Sequence, residues 1–353
     1  MKLRLGISAL DGARIAGGIY PPSAGEMVAE RTGLDKPGVS TVSDGQMTSA
    51  GLNSTVMEQS MGDSDQTIRV NTFVEKQLDR LAGEIEKKLD HDVMAVVGPI
   101  FPGLDDAVRQ AIEQRKLDGD LKNGLAIILD TGGGIIEVVE RMVNTIRHHY
   151  DEVTMIVPSR AMSAGTVFAM SGDRIMMDYF SCLGPIDPQI ERNGKLVPAL
   201  SYLVQFERLK ERSANGEITT AEMVLLQQLD LAELHSFEEA RELSNTLLKE
   251  WLAKFKFKDW VKTETRQFDV TPEMREERAL EVAQKLMDHQ LWHSHGRPIS
   301  MEVLKRDLNL KIEDFGADSD LSRQIKEYHQ FLADYMGKIG VFGVVHTDGI
   351  CLK

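Results

Sequence analysis

Between Asp92 and Asp178 the chain alternates short apolar runs with stretches of helical period, and few folds accept that pattern. Val93-Met94-Ala95-Val96-Val97 and Leu125-Ala126-Ile127-Ile128-Leu129 are apolar throughout. Val153-Thr154-Met155-Ile156-Val157 is nearly so, and Arg174-Ile175-Met176-Met177-Asp178 is a fourth run. A strand without a polar face must be covered on both sides, which is the situation of a parallel sheet. Between the runs, Leu104, Val108 and Ile112 stand four apart, and Ile135, Val139, Met142, Val143 and Ile146 mark one helical face. Strand and helix in alternation predict βαβ units and hence an α/β fold with a mostly parallel sheet.

The chain has 353 residues, more than one ordinary core needs. Residues 1–71 read as an extended or mobile N-terminal arm, because Gly17 to Asn71 is rich in Gly, Ser, Thr and Pro and lacks sustained periodicity. Residues 72–190 read as the α/β core, entered through an amphipathic helix with Phe73, Leu78, Leu81, Ile85 and Leu89 at near-helical spacing. Residues 191–353 read as a helical C-terminal extension. Helical periods cover Tyr202–Arg212, Thr220–Leu234, Phe237–Phe255 and Pro272–His289, and two more helices are expected within Ile299–Gly316 and Ser319–Tyr335. Thr219-Thr220-Ala221-Glu222 has the form of a helix start.

A net charge of −14 argues against a nucleic-acid surface, which needs a basic stripe. No stretch approaches the roughly 18 apolar residues of a membrane span, and Met1 to Leu10 is too short for a secretory apolar region. A cytoplasmic protein is expected. The two cysteines, Cys182 and Cys351, fit no metal spacing and read as free thiols. Neither a metal nor a cofactor is expected.

Two strand-to-helix turns could carry chemistry. Asp130-Thr131-Gly132-Gly133-Gly134 places backbone N–H groups where no side chain obstructs them, which suits a developing negative charge. It is followed by no Gly-Lys-Ser/Thr, and the chain has no G-x-G-x-x-G, so a nucleotide site is disfavoured. The second turn, Val157-Pro158-Ser159-Arg160-Ala161-Met162-Ser163-Ala164-Gly165-Thr166, carries a serine with small residues after it. Ser163 is either a nucleophile or a helix cap; Ser159, beside Arg160, is a weaker candidate. Neighbouring parallel strands bring such loops to one sheet edge, so a hydroxyl and amide donors would face each other, as acyl transfer requires.

On these residues the chain resembles the serine dehydrogenase proteinase family, a branch of the Clp/crotonase superfold that includes the Clp protease proteolytic subunit and signal peptide peptidase A. Leu129 to Gly134 is similar to the oxyanion strand end of those proteins, and Ala161 to Thr166 to their nucleophile turn. Asp173 to Asp178 and Leu183 to Pro188 are similar to the strand and loop that follow, and Gly98-Pro99-Ile100 and His295-Gly296-Arg297-Pro298-Ile299 also look like that family. The resemblance implies a Clp/crotonase-like core and a serine peptidase acting on peptide or protein substrates through an acyl-enzyme on Ser163. It also implies an oxyanion hole from Ala164 and either Gly133 or Gly134, and a homo-oligomer. Gly184-Pro185-Ile186-Asp187-Pro188, where the Clp subunit has a histidine base, contains none. Likeness to signal peptide peptidase A then points to a lysine base, Lys210 first and Lys195 second, in a Ser–Lys dyad. His295 is a third candidate, although His293 and His295 before a glycine also suit a helix end. Two rival readings share the fold: a crotonase-like enzyme processing acyl-CoA esters, and a non-catalytic peptide-binding scaffold.

Overall fold

The computed structural model describes residues 53–119, 121–187, 189–192, 195–263 and 267–352. Helix α1 (Asn53–Leu89) leads into β1 (Asp92–Val97), α2 (Leu104–Asp118), β2 (Gly124–Asp130), α3 (Ile136–His149) and β3 (Glu152–Ile156). A two-residue strand, β4 (Arg160–Ala161), precedes α4 (Ala164–Met170); β5 (Arg174–Met177) and β6 (Cys182–Leu183) follow. A hairpin of β7 (Gln189–Arg192) and β8 (Lys195–Pro198) opens the helical part, α5 (Ala199–Ala214), α6 (Thr220–Gln227), α7 (Leu231–Trp251), α8 (Pro272–Met287) and α9 (His289–Trp292). The chain ends with β9 (Ile299–Ser300), α10 (Met301–Asp307), β10 (Glu313–Asp314), α11 (Ser319–Ile339), β11 (Val344–Thr347) and β12 (Ile350–Leu352).

The main sheet has the order β10-β5-β3-β2-β1-β11-β12. β1, β2, β3 and β5 are mutually parallel and β10 joins β5 in parallel, as the apolar runs predict. Successive side chains enter opposite layers. Met94, Val96, Leu125, Ile127, Leu129, Val153 and Met155 pack with α2, α3, α4, α7 and α8 on one face. Val93, Ala95, Val97, Ala126, Ile128 and Ile156 meet Leu78, Leu81 and Ile85 of α1 and Ile325, Tyr328 and Leu332 of α11 on the other.

The C-terminal part is largely helical and also supplies strands that the sequence reading does not contain. β11 pairs antiparallel with β1, and β12 with β11. At the other end, α1 begins at Asn53, well before the periodicity that starts at Phe73. Residues 53–71, read as part of an extended or mobile arm, are helical: Gly62 and its serine neighbours lower helix propensity by at most about 1 kcal/mol each, which a helix of 37 residues absorbs. The rest of the expected arm, residues 1–52, lies outside the described residues. The helix start at Thr219 is a capping box with Glu222, and Thr271 caps α8 with Pro272 at its first position. Among the described residues, no helix is long and apolar enough to cross a membrane, no His/Cys/Asp/Glu group could hold a metal, and both cysteines are free.

Candidate active site

Beyond the carboxyl ends of the parallel strands, three strips lie side by side and carry the candidate residues. Thr131 forms a parallel bridge with Ala161: its N–H donates to the Arg160 carbonyl (2.9 Å), and Met162 N–H donates to the Thr131 carbonyl (3.1 Å). β4 in turn pairs in parallel with β6, Ala161 against Leu183. β9 closes the other side of β6 in antiparallel register, Leu183 against Ile299 and Cys182 against Ser300.

Ser163 stands where β4 gives way to α4, with φ 52° and ψ −119°. A non-glycine residue held there costs of order 1–3 kcal/mol and persists only where its surroundings enforce it. Here Thr166 does so. Its Oγ1 accepts from Gly184 N–H (3.0 Å) and lies 2.8 Å from the Ala161 carbonyl, tying the first turn of α4 to the neighbouring strips. Ser163 is fully buried, and its Oγ donates to the Asp187 carbonyl at 2.8 Å.

The glycine turn packs directly onto this serine. A Cβ on Gly133, whose φ is 99°, would lie 2.7 Å from the Met162 carbonyl oxygen and 2.9 Å from Ser163 Cβ, so only glycine fits. Gly133 N–H donates to Thr131 Oγ1 at 3.0 Å and is thereby occupied. Gly134 is bridged in parallel to Ile100 through its neighbours: Ile100 N–H donates to the Gly133 carbonyl and Ile135 N–H to the Ile100 carbonyl, both at 2.9 Å. That pattern turns the amide of Gly134 itself away from Ile100. Ala164 is the first residue of α4, where no preceding turn supplies an acceptor for its N–H.

The three basic candidates fare differently. Lys210 lies on the exposed side of α5, with Nζ 3.1 Å from Glu207 Oε2; the neighbours of α5 are α6 and α7. Lys195 sits in β8, paired with Arg192 across the hairpin. His295 is brought to the site, with Nδ1 3.4 Å from Asp187 Oδ2. Asp187 is buried. A recess of about 10 Å³, lined by Pro185, Ile186, Asp187, Trp292, Ser294 and His295 among others, lies beside this pair. It would hold one water at most. Ser159, the weaker serine, uses its carbonyl to accept from Cys182 N–H at 2.9 Å.

One pair at the same sheet edge escaped the sequence reading. Asp130, the last residue of β2, receives His329 Nε2 from α11 at 2.8 Å. The thiol of Cys182 nearby is raised above its ordinary range, chiefly by burial; Arg160 lowers it and Asp130 raises it further.

Residues 104–269 match the family model described as ClpP-like SDH-type serine proteinase. That stretch, just under half of the chain, is similar to this family, in keeping with the parallel sheet, the glycine turn and the strained serine. Two curated relatives are similar over shorter spans, both uncharacterized proteins of Methanocaldococcus jannaschii. MJ1495 is 31% identical over 113 residues, 32% of this chain and 35% of the relative; MJ0137 is 34% identical over 84 residues, 24% and 27%. The matched stretches thus span about a third of the relatives' length. Among solved structures, a mutant of the 1510-N membrane-bound stomatin-specific protease in complex with a substrate peptide is 16% identical, with a TM-score of 0.37, over 63% of this chain and 73% of that one. ClpP1 from Listeria monocytogenes is 14% identical, with a TM-score of 0.36, over 65% and 94%.

Proposed function

We propose that this chain is a serine peptidase that cleaves peptide bonds through an acyl-enzyme on Ser163. The observation that carries the reading is the backbone of Ser163, held at positive φ against Gly133 at a strand-to-helix turn. Strain of this kind is maintained where a side chain must be presented in one direction. In the reaction, Oγ forms a bond to the scissile carbonyl carbon and its proton passes to a base. The carbonyl oxygen becomes an oxyanion, which the N–H groups of Gly134 and Ala164 receive. The amine leaves with that proton, and water then releases the acyl group by the reverse sequence. Gly134 suits the hole better than Gly133, whose N–H is taken by Thr131.

The lysine of a Ser–Lys dyad is less well supported. Lys210 is exposed and paired with Glu207 on the surface of α5. A peptide or protein substrate and a homo-oligomeric assembly belong to the same proposal, on the strength of the family match.

Labelling with a fluorophosphonate tests the core of it. The wild-type protein is expected to label and Ser163→Ala to stay unlabelled. A wild-type protein that never labels, or a labelled Ser163→Ala variant, overturns the assignment. Stabilisation by CoA esters without labelling would instead favour the crotonase-like reading.

A further inference from the structure

At the amino end of the parallel strands, opposite the end that carries Ser163, basic side chains gather around Lys256. After Trp251, α7 runs on into one π-helical turn, Leu252–Lys256. Phe257 N–H closes it, donating to the Leu252 carbonyl at 2.8 Å. Such turns are rare and occur frequently at functional sites. Buried Leu252 and Phe257 anchor this one, and Lys256 reaches the sheet, where Nζ donates to the Asp173 carbonyl at 3.4 Å. That is long for a hydrogen bond.

The carboxylates nearby are already taken. Asp173 Oδ2 accepts from Val153 N–H at 2.7 Å and from Arg147 at 2.8 Å, and Lys258 Nζ lies 2.8 Å from its Oδ1. Arg147 also lies over the ring of Phe255 in the π-turn. Glu313 of β10 accepts from Arg174 Nε at 2.8 Å and from a second nitrogen of the same guanidinium. Among the described residues, no carboxylate approaches Lys256 Nζ to ion-pair distance. Ile312 is buried, and Lys311 and Glu313 turn outward on either side of it. Glu152 acts on Arg174 from further off. Five cations, Arg147, Arg174, Lys256, Lys258 and Lys311, thus share three carboxylates, Glu152, Asp173 and Glu313.

We propose that Lys256 is a carbamylation site: its amine takes up carbon dioxide, and the carbamate is held by the cations around it. The nitrogen lone pair bonds to the carbon of carbon dioxide, one C=O electron pair moves onto oxygen, and an N–H proton passes to water. Nothing is oxidised or reduced. Position 256 changes from a cation to an anion, which leaves four cations facing four anions. A neutral acyl group on the same nitrogen leaves one cation in excess, so the charge count favours carbon dioxide over an uncharged acyl donor. The neutral amine that the reaction needs is present. Burial, the largest cause, pushes Lys256 down to about 8 against the pull of Glu313 and Asp173, and Lys311 and Arg174 add to the depression. At pH 7 its neutral form is then roughly 300-fold more abundant than that of a lysine at 10.5. A carbamate facing Arg174 and Lys311 joins the π-turn to the β5–β10 edge of the main sheet. The site stands or falls independently of Ser163.

The test uses the full-length protein in carbon dioxide–bicarbonate buffer near neutral pH. A trialkyloxonium salt esterifies any carbamate, and mass spectrometry of the digest locates the trapped group. The wild type is expected to carry it on Lys256 at least about tenfold more than on Lys254 or Lys258. Lys311→Glu, a change at an exposed residue, is expected to lower the trapped fraction on Lys256 by at least about threefold. Carbon dioxide is expected to raise the thermal midpoint of the wild type and not that of Lys256→Met. A folded wild type with no more trapped group on Lys256 than on Lys254 overturns the proposal. An unchanged fraction in folded Lys311→Glu overturns the charge argument that carries it. A midpoint that rises equally in the wild type and Lys256→Met overturns it as well, because the gain then lies elsewhere.

Discussion

A Cβ placed on Gly133 would come within 2.9 Å of the Cβ of Ser163, so these two residues hold each other's backbone in place. Gly133→Ala is therefore expected to abolish labelling at Ser163 and to destabilise the fold, since neither the Met162 carbonyl nor the serine can move without disturbing the turn. Gly132 is exposed, and a Cβ there meets nothing within 4 Å. Gly132→Ala is expected to label at close to the wild-type rate. Equal behaviour of the two alanine variants would show that the close packing is not what orients the serine.

The positive φ of Ser163 gives a second expectation. Ser163→Gly removes the hydroxyl and relieves the strain, whereas Ser163→Ala removes the hydroxyl and keeps the strain. Both are inactive, but the glycine variant is expected to be more stable than the alanine variant by about 1 kcal/mol in urea unfolding. The usual entropic cost of glycine works in the opposite direction. A glycine variant that is the less stable by as much would mean that the backbone there is not strained.

Lys256 makes stability depend on pH. Burial pushes its ammonium down to about 8 from an ordinary 10.5, while Glu313 and Asp173 pull it back up and Lys311 and Arg174 lower it further. Below pH 8 the folded and unfolded chains both carry the charge, and the folded state bears the full penalty. Between pH 8 and 10.5 the unfolded chain binds more protons, so stability rises with pH. Lys256→Met is expected to be the more stable protein at pH 7, by up to about 3 kcal/mol, with the gap narrowing towards pH 10. Denaturant titrations at pH 7 and pH 10 check this. A gap that widens at high pH would contradict the assignment.

Lys210→Met separates the lysine and histidine bases. With Nζ exposed and paired to Glu207, its loss removes a surface ion pair of at most about 1 kcal/mol. Turnover and labelling are expected to stay within twofold of wild type. A loss of a hundredfold or more in a folded protein would restore the Ser–Lys arrangement, with the lysine delivered by another subunit.

The parallel core was readable because its strands are apolar on both faces, and Val93–Val97 and Leu125–Leu129 can be little else. The two turns bearing Gly133, Gly134 and Ser163 followed from their places after such strands. Asp187 and His295 did not follow, because what joins them is the pairing of two two-residue strands, β6 and β9, too short to leave a periodic signal. His295 carried only its likeness to a family segment, and Asp187 was noted for what it is not. Lys210 was singled out only by likeness to signal peptide peptidase A, and helical spacing turns its side chain outward beside Glu207. The same limit hid β11 and β12, since Val344–Thr347 and Ile350–Leu352 are four and three residues long. His329 reached Asp130 from a helix 199 positions away, and no local pattern reports such a meeting.

The seat of β11 beside β1 has a consequence for how the chain is made. The first strand among the described residues, β1, is bordered by β2 on one side, but its other flank waits for Val344–Thr347. Until those residues emerge, a row of amides and carbonyls stands open on a sheet that is otherwise ready to assemble, inviting other nascent chains to dock there. That flank of β1 is thus sheltered only after α11 has been made, and a ribosome stalled in α11 would release a product prone to clump.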